Sequence, residues 1–302
     1  MDELTAAGIT DPQLRRSYEE CKRLNAEHGK TYYLATLLLP KEKRPHVHAL
    51  YGFARFADEI VDDLDSTLDQ EEKRKVLEKW SAQMLHDIKD GSSSDPIGRA
   101  LVNTVKTFDI PIEYFEAFLH SMAMDLTVSH YEDFEALHEY VYGSAAVIGL
   151  QMVHVLGTLP GKKEEALVAA EKLGIAFQLA NFIRDVGEDL DRGRIYLPVD
   201  ELQSFGVSVD GLRKKVLSPQ IIDALKFQIA RVRQLQAEAD DGIKLLPPFA
   251  RPCIEAASEL YCGIVDEVEN IDYQVFTKRA KTSVARRLTV AIPAWTRALA
   301  AR

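Results

Sequence analysis

Two stretches of the sequence set oxygen-bearing side chains at helical spacing. In Tyr51-Gly-Phe-Ala-Arg-Phe-Ala-Asp-Glu-Ile-Val-Asp-Asp63, Asp58 and Asp62 are four apart. A helix therefore places them one turn above each other on one face. Like charges so placed cost a helix about 0.2–0.5 kcal/mol per pair, and Asp is a weak helix former. A stretch carrying Asp58, Glu59, Asp62, Asp63 and Asp65 calls for something in return, and a hard cation with oxygen ligands would supply it. In Gln178-Leu-Ala-Asn-Phe-Ile-Arg-Asp-Val-Gly-Glu-Asp189, the residues Gln178, Asn181, Asp185 and Asp189 fall at steps of three, four and four, again on one helical stripe. Arg55 and Arg184 stand beside these clusters. A basic residue there either neutralises the carboxylates or grips the same phosphate that a metal grips. One acidic turn alone reads as a solvated face. Two of them in apolar helices, facing each other across a bundle, would offer carboxylates around a cavity. Mg²⁺ takes one or two carboxylates and fills its shell with water and phosphate oxygens. A diphosphate held by Mg²⁺ is the natural occupant.

Such a site needs helices to carry it. Apolar residues recur at steps of three or four in 46–61 (Val47, Leu50, Tyr51, Ala54, Ala57, Val61), in 71–88 and in 221–235. The stretch 143–157 (GSAAVIGLQMVHVLG) is apolar on nearly every side, which predicts a helix in the bundle's centre. Its small residues Gly143, Ser144, Ala145, Ala146 and Gly149 predict free volume beside it. The chain's 16 Gly and 12 Pro cluster at 91–98, 157–161, 193–206 and 247–252. Alternating β-patterns are nearly absent. We therefore expect a single all-α domain over 1–302, of about ten helices.

The remaining composition bounds the partners. With 47 acidic against 37 basic residues the net charge is −10, which disfavours nucleic acid. The three cysteines, Cys21, Cys253 and Cys262, are too scattered for a disulfide framework or a Cys-based zinc site. The start MDELTAAGITD lacks the features of a secretory signal, and no uncharged apolar run reaches membrane-spanning length. These features predict a soluble, cytoplasmic protein without an obligate protein partner. The basic run 278–287 (KRAKTSVARR) could help peripheral membrane contact, although a solvated face or internal diphosphate contacts are the simpler reading. The histidines beyond His28 show no ligand spacing; His46 and His48 point apart on a helix.

At these residues the sequence resembles the squalene/phytoene synthase family, the head-to-head trans-isoprenyl diphosphate synthases. The resemblance is carried by ADEIVDD (57–63), by QLANFIRDVGEDLDRGRIYLP (178–198), by the stretches around MAMDL (122–126) and EYVYGSAAVIG (139–149), and by AASELYCGIVDEVE (256–269). His28-Gly-Lys-Thr-Tyr-Tyr33 sits where relatives carry a His-Ser-Lys-Ser-Phe-like turn that contacts diphosphate; Gly29 and Thr31 replace its serines. The resemblance implies an all-α class I isoprenoid-synthase fold with a central apolar cavity. It implies that Asp58, Asp62, Asp185 and Asp189, with Asn181, hold Mg²⁺ or Mn²⁺. It implies that His28, Lys30, Thr31, Tyr51, Arg55, Gln178 and Arg184 bind an isoprenyl diphosphate. Tyr140, Tyr196 and Tyr261 then lie near the reacting centre or leaving group, and Lys278 or Arg279 adds a diphosphate contact. Phe53, Phe177 and Phe182 are candidates for the cavity wall.

The implied reaction has two steps. Loss of diphosphate from one allylic substrate gives a cation that the second molecule's double bond captures, leaving a cyclopropylcarbinyl diphosphate after proton loss. That diphosphate ionises in turn and the skeleton rearranges to a 1–1′ linkage. Within the family, LLPKEKRPHVHALYGFARFADEIVDD followed by DVGEDLDRGRIYLP is most similar to bacterial phytoene synthases, which join two geranylgeranyl diphosphates into phytoene. A squalene, dehydrosqualene or presqualene diphosphate synthase acting on farnesyl diphosphate is the alternative. A class I terpene cyclase would carry Ser or Thr four residues after Asn181, where this chain has Asp185. A non-catalytic helical scaffold is the remaining alternative.

Overall fold

The computed structural model describes residues 1–62 and 68–301. Among the described residues eleven helices have eight residues or more, and no strand forms beyond one isolated bridge between His130 and Ile195. The helices begin and end where local chemistry says they should. Asp69 caps Gln70–Asp90 by accepting from Glu72 N at 2.8 Å, while the Glu72 carboxylate accepts from Asp69 N at 2.9 Å. That reciprocal cap satisfies two otherwise orphaned donors. Gly91, at φ 71°, closes the same helix in the left-handed conformation. Ser218 caps Pro219–Ile243, whose proline at the first position has no N–H to leave unpaired. The windows 46–61, 71–88 and 221–235 thus extend to Arg44–Asp62, Gln70–Asp90 and Pro219–Ile243. The turn-rich stretch 193–206 holds a short helix, Val199–Ser204.

Helix Lys163–Asp191 is the hub, packed along Pro219–Ile243 on one side and along Val147–Leu156 on another. By length and composition it is apolar enough to cross a membrane, yet its apolar side chains serve the interior of this bundle. One buried cluster gathers around it: Leu179, Phe182, Ile183, Leu225, Ile229 and Val265. A second joins the N-terminal helices through Tyr18, Leu50, Leu77, Leu101 and Phe115. Phe53 belongs to this second core and not to the cavity wall. It is fully buried, with its ring centroid 5.4 Å from each of Trp80, Phe115 and Phe118. Such aromatic pairs add about 0.5–1.5 kcal/mol each beyond area burial.

The stretch 143–157 divides in two. Tyr142–Ala146 forms a π-helical turn and Val147–Leu156 an α-helix. Only part of its small-residue set leaves open volume. A Cβ on Gly143 would lie 2.1 Å from the Ala117 carbonyl oxygen and 2.2 Å from Ser121 Oγ, so glycine permits close approach of helix Glu113–Met124. Gly143→Ala is expected to lower the unfolding free energy by about 1–3 kcal/mol through overpacking. Urea unfolding checks this, with a lower midpoint at unchanged slope; an unmoved midpoint would show that the two helices part freely.

Candidate active site

Both acidic turns sit at the C-terminal ends of long helices. Asp58 and Asp62 end Arg44–Asp62, and Asp185 and Asp189 end Lys163–Asp191; neither helix has a basic residue in its last turn. The helix dipole is negative there, so carboxylates raise an already negative potential and draw cations. Arg55 answers within its own helix, donating from Nη1 to Asp58 Oδ2 at 2.8 Å and from Nε to Glu59 Oε1 at 3.1 Å. Asp185 is gripped from two sides. Arg184 donates through Nε (2.7 Å) and Nη2 to its two oxygens, and Arg279 donates through Nε (3.0 Å) and Nη2 (3.2 Å) to the same pair. The Asp62 side chain, like Asp63 and Asp65, lies outside the described residues.

Asp189 is the carboxylate that these guanidinium pairs do not settle. Burial first, and the charge of Asp185 second, push its carboxyl up from 3.8 to about 7, against the pull of Arg192 and Arg194. A desolvated acid beside a like charge is the setting that a divalent cation relieves. Asp185, Asp189 and the amide oxygen of Asn181, on one stripe of one helix, are an oxygen donor set that fits such an ion.

A cavity of ≈ 580 Å³ joins the two acidic turns and continues into the bundle. Its polar end presents Tyr51, Arg55, Asp58, Gln178, Asn181, Arg184, Asp185 and Asp189, all expected from the sequence. Its apolar end is walled by Ile148, Gly149, Met152, Ala169, Ala170 and Phe177, among others. Ser144, Ala145 and Phe182 also face it, so Ser144, Ala145 and Gly149 of the small-residue set border open volume, whereas Ala146 is fully buried in the core.

Tyr140 and Tyr196 line the cavity too, and the structure reveals their shared partner. Tyr140 OH donates to Asp125 Oδ2 at 2.9 Å and Tyr196 OH to Asp125 Oδ1 at 3.1 Å. Arg194 donates through Nη2 to the Asp125 backbone carbonyl at 3.0 Å. The rings form a stacked wall: Tyr140 to Tyr196 at 5.5 Å and Tyr196 to Phe182 at 4.1 Å, nearly parallel. Burial raises the hydroxyl pKa of Tyr140 and of Tyr196, so both stay neutral donors.

Other expected residues stand apart from the cavity surface. His28, Lys30 and Thr31 are exposed at the entrance to helix Lys30–Thr36, with His28 Nε2 3.9 Å from Glu59 Oε1. Their segment instead delivers Tyr32, which lines the cavity. Tyr261 is one ring removed, stacked between Tyr32 (5.4 Å) and Phe177 (5.0 Å). Lys278 is exposed, and its neighbour Arg279 makes the contact to Asp185 in its place. Gly29 has a local cause. A Cβ there would lie 2.6 Å from the Tyr51 ring and 2.7 Å from Asn25 Oδ1, so a serine would displace Tyr51 from the cavity wall. His46 and His48 are buried and held well below the usual imidazole range, at about 4, chiefly by desolvation.

Asp125, Arg192, Arg194, Tyr32 and Asn25 join the site without having been singled out. Asp125 lies inside the MAMDL stretch, and both arginines inside the long second motif, so the signal was a lone acid in an apolar run and two charges next to the aspartates.

Comparison with known proteins places the chain in a family and a fold. Residues 25–286 match the family model described as squalene/phytoene synthase. The chain is 38% identical over 289 residues to a chloroplastic phytoene synthase of Daucus carota, covering 95% of this chain and 72% of that one. It is 36% identical over 294 residues to the 15-cis-phytoene synthase of Synechocystis sp., covering 94% and 86%. Among solved structures, a dehydrosqualene synthase superposes with TM-score 0.84 at 27% identity, covering 98% of both chains. A squalene synthase of Alicyclobacillus acidocaldarius superposes with TM-score 0.80 at 25% identity, over 89% of this chain and 98% of the other.

Proposed function

The chain belongs to the squalene/phytoene synthase family, and from that premise we propose that it is a phytoene synthase, a prenyltransferase joining two geranylgeranyl diphosphates head to head. The observation that carries this reading is one cavity with two aspartate-bearing helix ends at its mouth and a deep apolar interior. We read residues 1–302 as one synthase domain acting in the cytoplasm, in contact with prenyl diphosphates and not with nucleic acid.

In this reading Asp58, Asp62, Asn181, Asp185 and Asp189 hold divalent metal, Mg²⁺ by preference with Mn²⁺ able to replace it. When bound, the metal neutralises the charge that builds on diphosphate as the allylic C–O bond breaks. Arg55, Arg184, Tyr51 and Gln178 hold the diphosphate oxygens, joined by Arg279 in place of Lys278. His28, Lys30 and Thr31 meet the diphosphate only at the rim. The apolar walls exclude water that would quench the allylic cation. Ring faces of Phe182, Tyr196 and Tyr140 offer it negative potential. Asp125 takes the two phenol protons in hydrogen bonds and so fixes the orientation of both rings. Tyr261 steadies Phe177 and Tyr32 from behind the wall.

A second reading, condensation of two farnesyl diphosphates, is favoured by the similarity to the dehydrosqualene synthase fold. Incubating the purified protein with Mg²⁺ and each diphosphate, followed by mass spectrometry of the extracted hydrocarbon, separates the two. The expected product is a forty-carbon hydrocarbon from geranylgeranyl diphosphate. A thirty-carbon product with no forty-carbon product would establish the second reading instead.

A further inference from the structure

After Asp272 the chain carries seven basic residues and no acidic one, in a protein whose net charge is −10. Most of this segment is helix Val284–Ala300, which lies on the outside of the bundle. It buries only Val290, Ala294 and Ala298, against a cluster that includes Cys253 and Ala256 of helix Arg251–Cys262. Its other apolar residues face outward. Val284 is 71% exposed, Leu288 52%, Ile292 58%, Trp295 53% and Leu299 46%. Their spacing of four, four, three and four puts all five on one stripe running the length of the helix. Single exposed apolar side chains are ordinary, whereas a continuous stripe with a tryptophan marks an interaction surface.

We propose that this stripe is a docking surface for an anionic lipid bilayer, with the helix lying in the plane of the interface. Charge selects this occupant. No carboxylate lies on the helix; Arg287, Lys281 and Lys278 are exposed on it or just before it, and Arg297, though paired with Glu255 of the neighbouring helix at 2.9 Å, is also exposed. An apolar face carrying Trp and Leu beside a basic flank is the pattern of helices that rest in the headgroup region. A second copy of the chain would bring two such basic segments together, against their repulsion. Two members of the basic run are engaged inside the protein: Arg286 pairs with Asp266 (2.8 Å) and Glu267 (3.2 Å), and Arg279 with Asp185. They anchor the segment, while its outer face remains for lipid. The position is also apt for a hydrocarbon-handling enzyme. Helix Arg251–Cys262 separates the stripe helix from the cavity, which it lines with Cys253, Ile254 and Ala257. Exposed Leu34 and Tyr32 adjoin the same helix from the other side.

Docking itself needs no substrate, so its test stands apart from the reaction. The full chain is floated with vesicles of phosphatidylglycerol and phosphatidylcholine, and separately with phosphatidylcholine alone. We expect flotation with the anionic vesicles that is at least ~10-fold weaker with the neutral ones and that high salt releases. Brominated acyl chains are expected to quench tryptophan fluorescence in the wild type, and to lose that effect in Trp295→Phe, where Trp80 remains. The double substitution Leu288→Glu with Ile292→Glu should weaken binding at least ~10-fold. Its melting temperature and its activity on detergent-dispersed substrate should be unchanged. Absence of flotation by the wild type, or equal flotation by the double variant, overturns the proposal. So does a concentration-dependent dimer abolished by those substitutions without vesicle binding, which would assign the face to a second copy.

Discussion

Asp185→Asn lowers hydrocarbon formation by at least about 10²–10³-fold. The substitution keeps the shape of the side chain and removes its charge, at the point where Arg184, Arg279 and Asp189 converge. Loss of the charge weakens metal binding and frees both guanidinium groups from their shared partner. The pH dependence of metal binding separates this role from a merely structural one. In the metal-free wild type the Asp189 carboxyl is raised to about 7, so its ionised form is disfavoured by the fold. The metal-free protein therefore loses stability as pH rises from the unfolded value towards about 7. A metal ion binds the ionised form and displaces the proton. Stabilisation of the wild type by Mg²⁺ should thus grow between about pH 6 and about pH 8, read as a rise in melting temperature. In Asp185→Asn that like charge is gone and burial, with the smaller push of Glu188, is left to raise Asp189, so that growth should begin at lower pH. Near-wild-type turnover by a folded Asp185→Asn protein would remove Asp185 from the metal-binding set.

What could be read in advance follows from how local each feature is. Asp58 and Asp62, or Asp185 and Asp189, are related by one helical turn, and that relation is written in the spacing alone. The hub helix, the capped ends at Asp69 and Ser218 and the turn at Gly91 are equally local. Asp125 is different. Its importance comes from Tyr140 and Tyr196, brought to it across 15 and 71 residues by the packing of separate helices and loops. Arg279 reaches Asp185 across 94 residues, and nothing in a run of neighbouring Lys and Arg distinguishes it from Lys278 before the chain folds. Phe53 shows the converse limit. It shares a helix with Tyr51 and Arg55, yet its rotation on that helix sends it into the aromatic core, where hydrophobicity alone would also have allowed a cavity wall. Gly143 reads as spare volume in sequence and serves close helix contact in space, because a missing side chain can be filled either by solvent or by a neighbour's backbone.

Ala170→Phe shifts the ratio of kcat/KM for geranylgeranyl over farnesyl diphosphate by about 10²-fold towards the shorter substrate. The cavity follows helix Lys163–Asp191 from Asp189 down to Ala166, roughly 35 Å at 1.5 Å per residue. Gln178, Asn181, Asp185 and Asp189 mark its polar end, and Ala169, Ala170 and Leu173 face its deep, apolar part. Ala170 stands fifteen residues before Asp185, about 22 Å along the axis. A diphosphate anchored at Asp185 and Arg184 sends its prenyl chain towards that depth, and four isoprene units reach further than three. A phenyl ring at Ala170 occupies the end of the path and leaves the anchor untouched. Its effect should therefore depend on chain length, whereas a disturbed metal site would slow both substrates alike. Ala170 lines the apolar cavity close beside Gly149, so the melting temperature is read alongside to establish that the variant is folded. Competition between the two diphosphates, with products resolved by mass spectrometry, reads the ratio directly. An unchanged ratio in a folded variant would mean that the prenyl chains leave the Lys163–Asp191 wall before reaching Ala170, and that another face of the cavity measures their length.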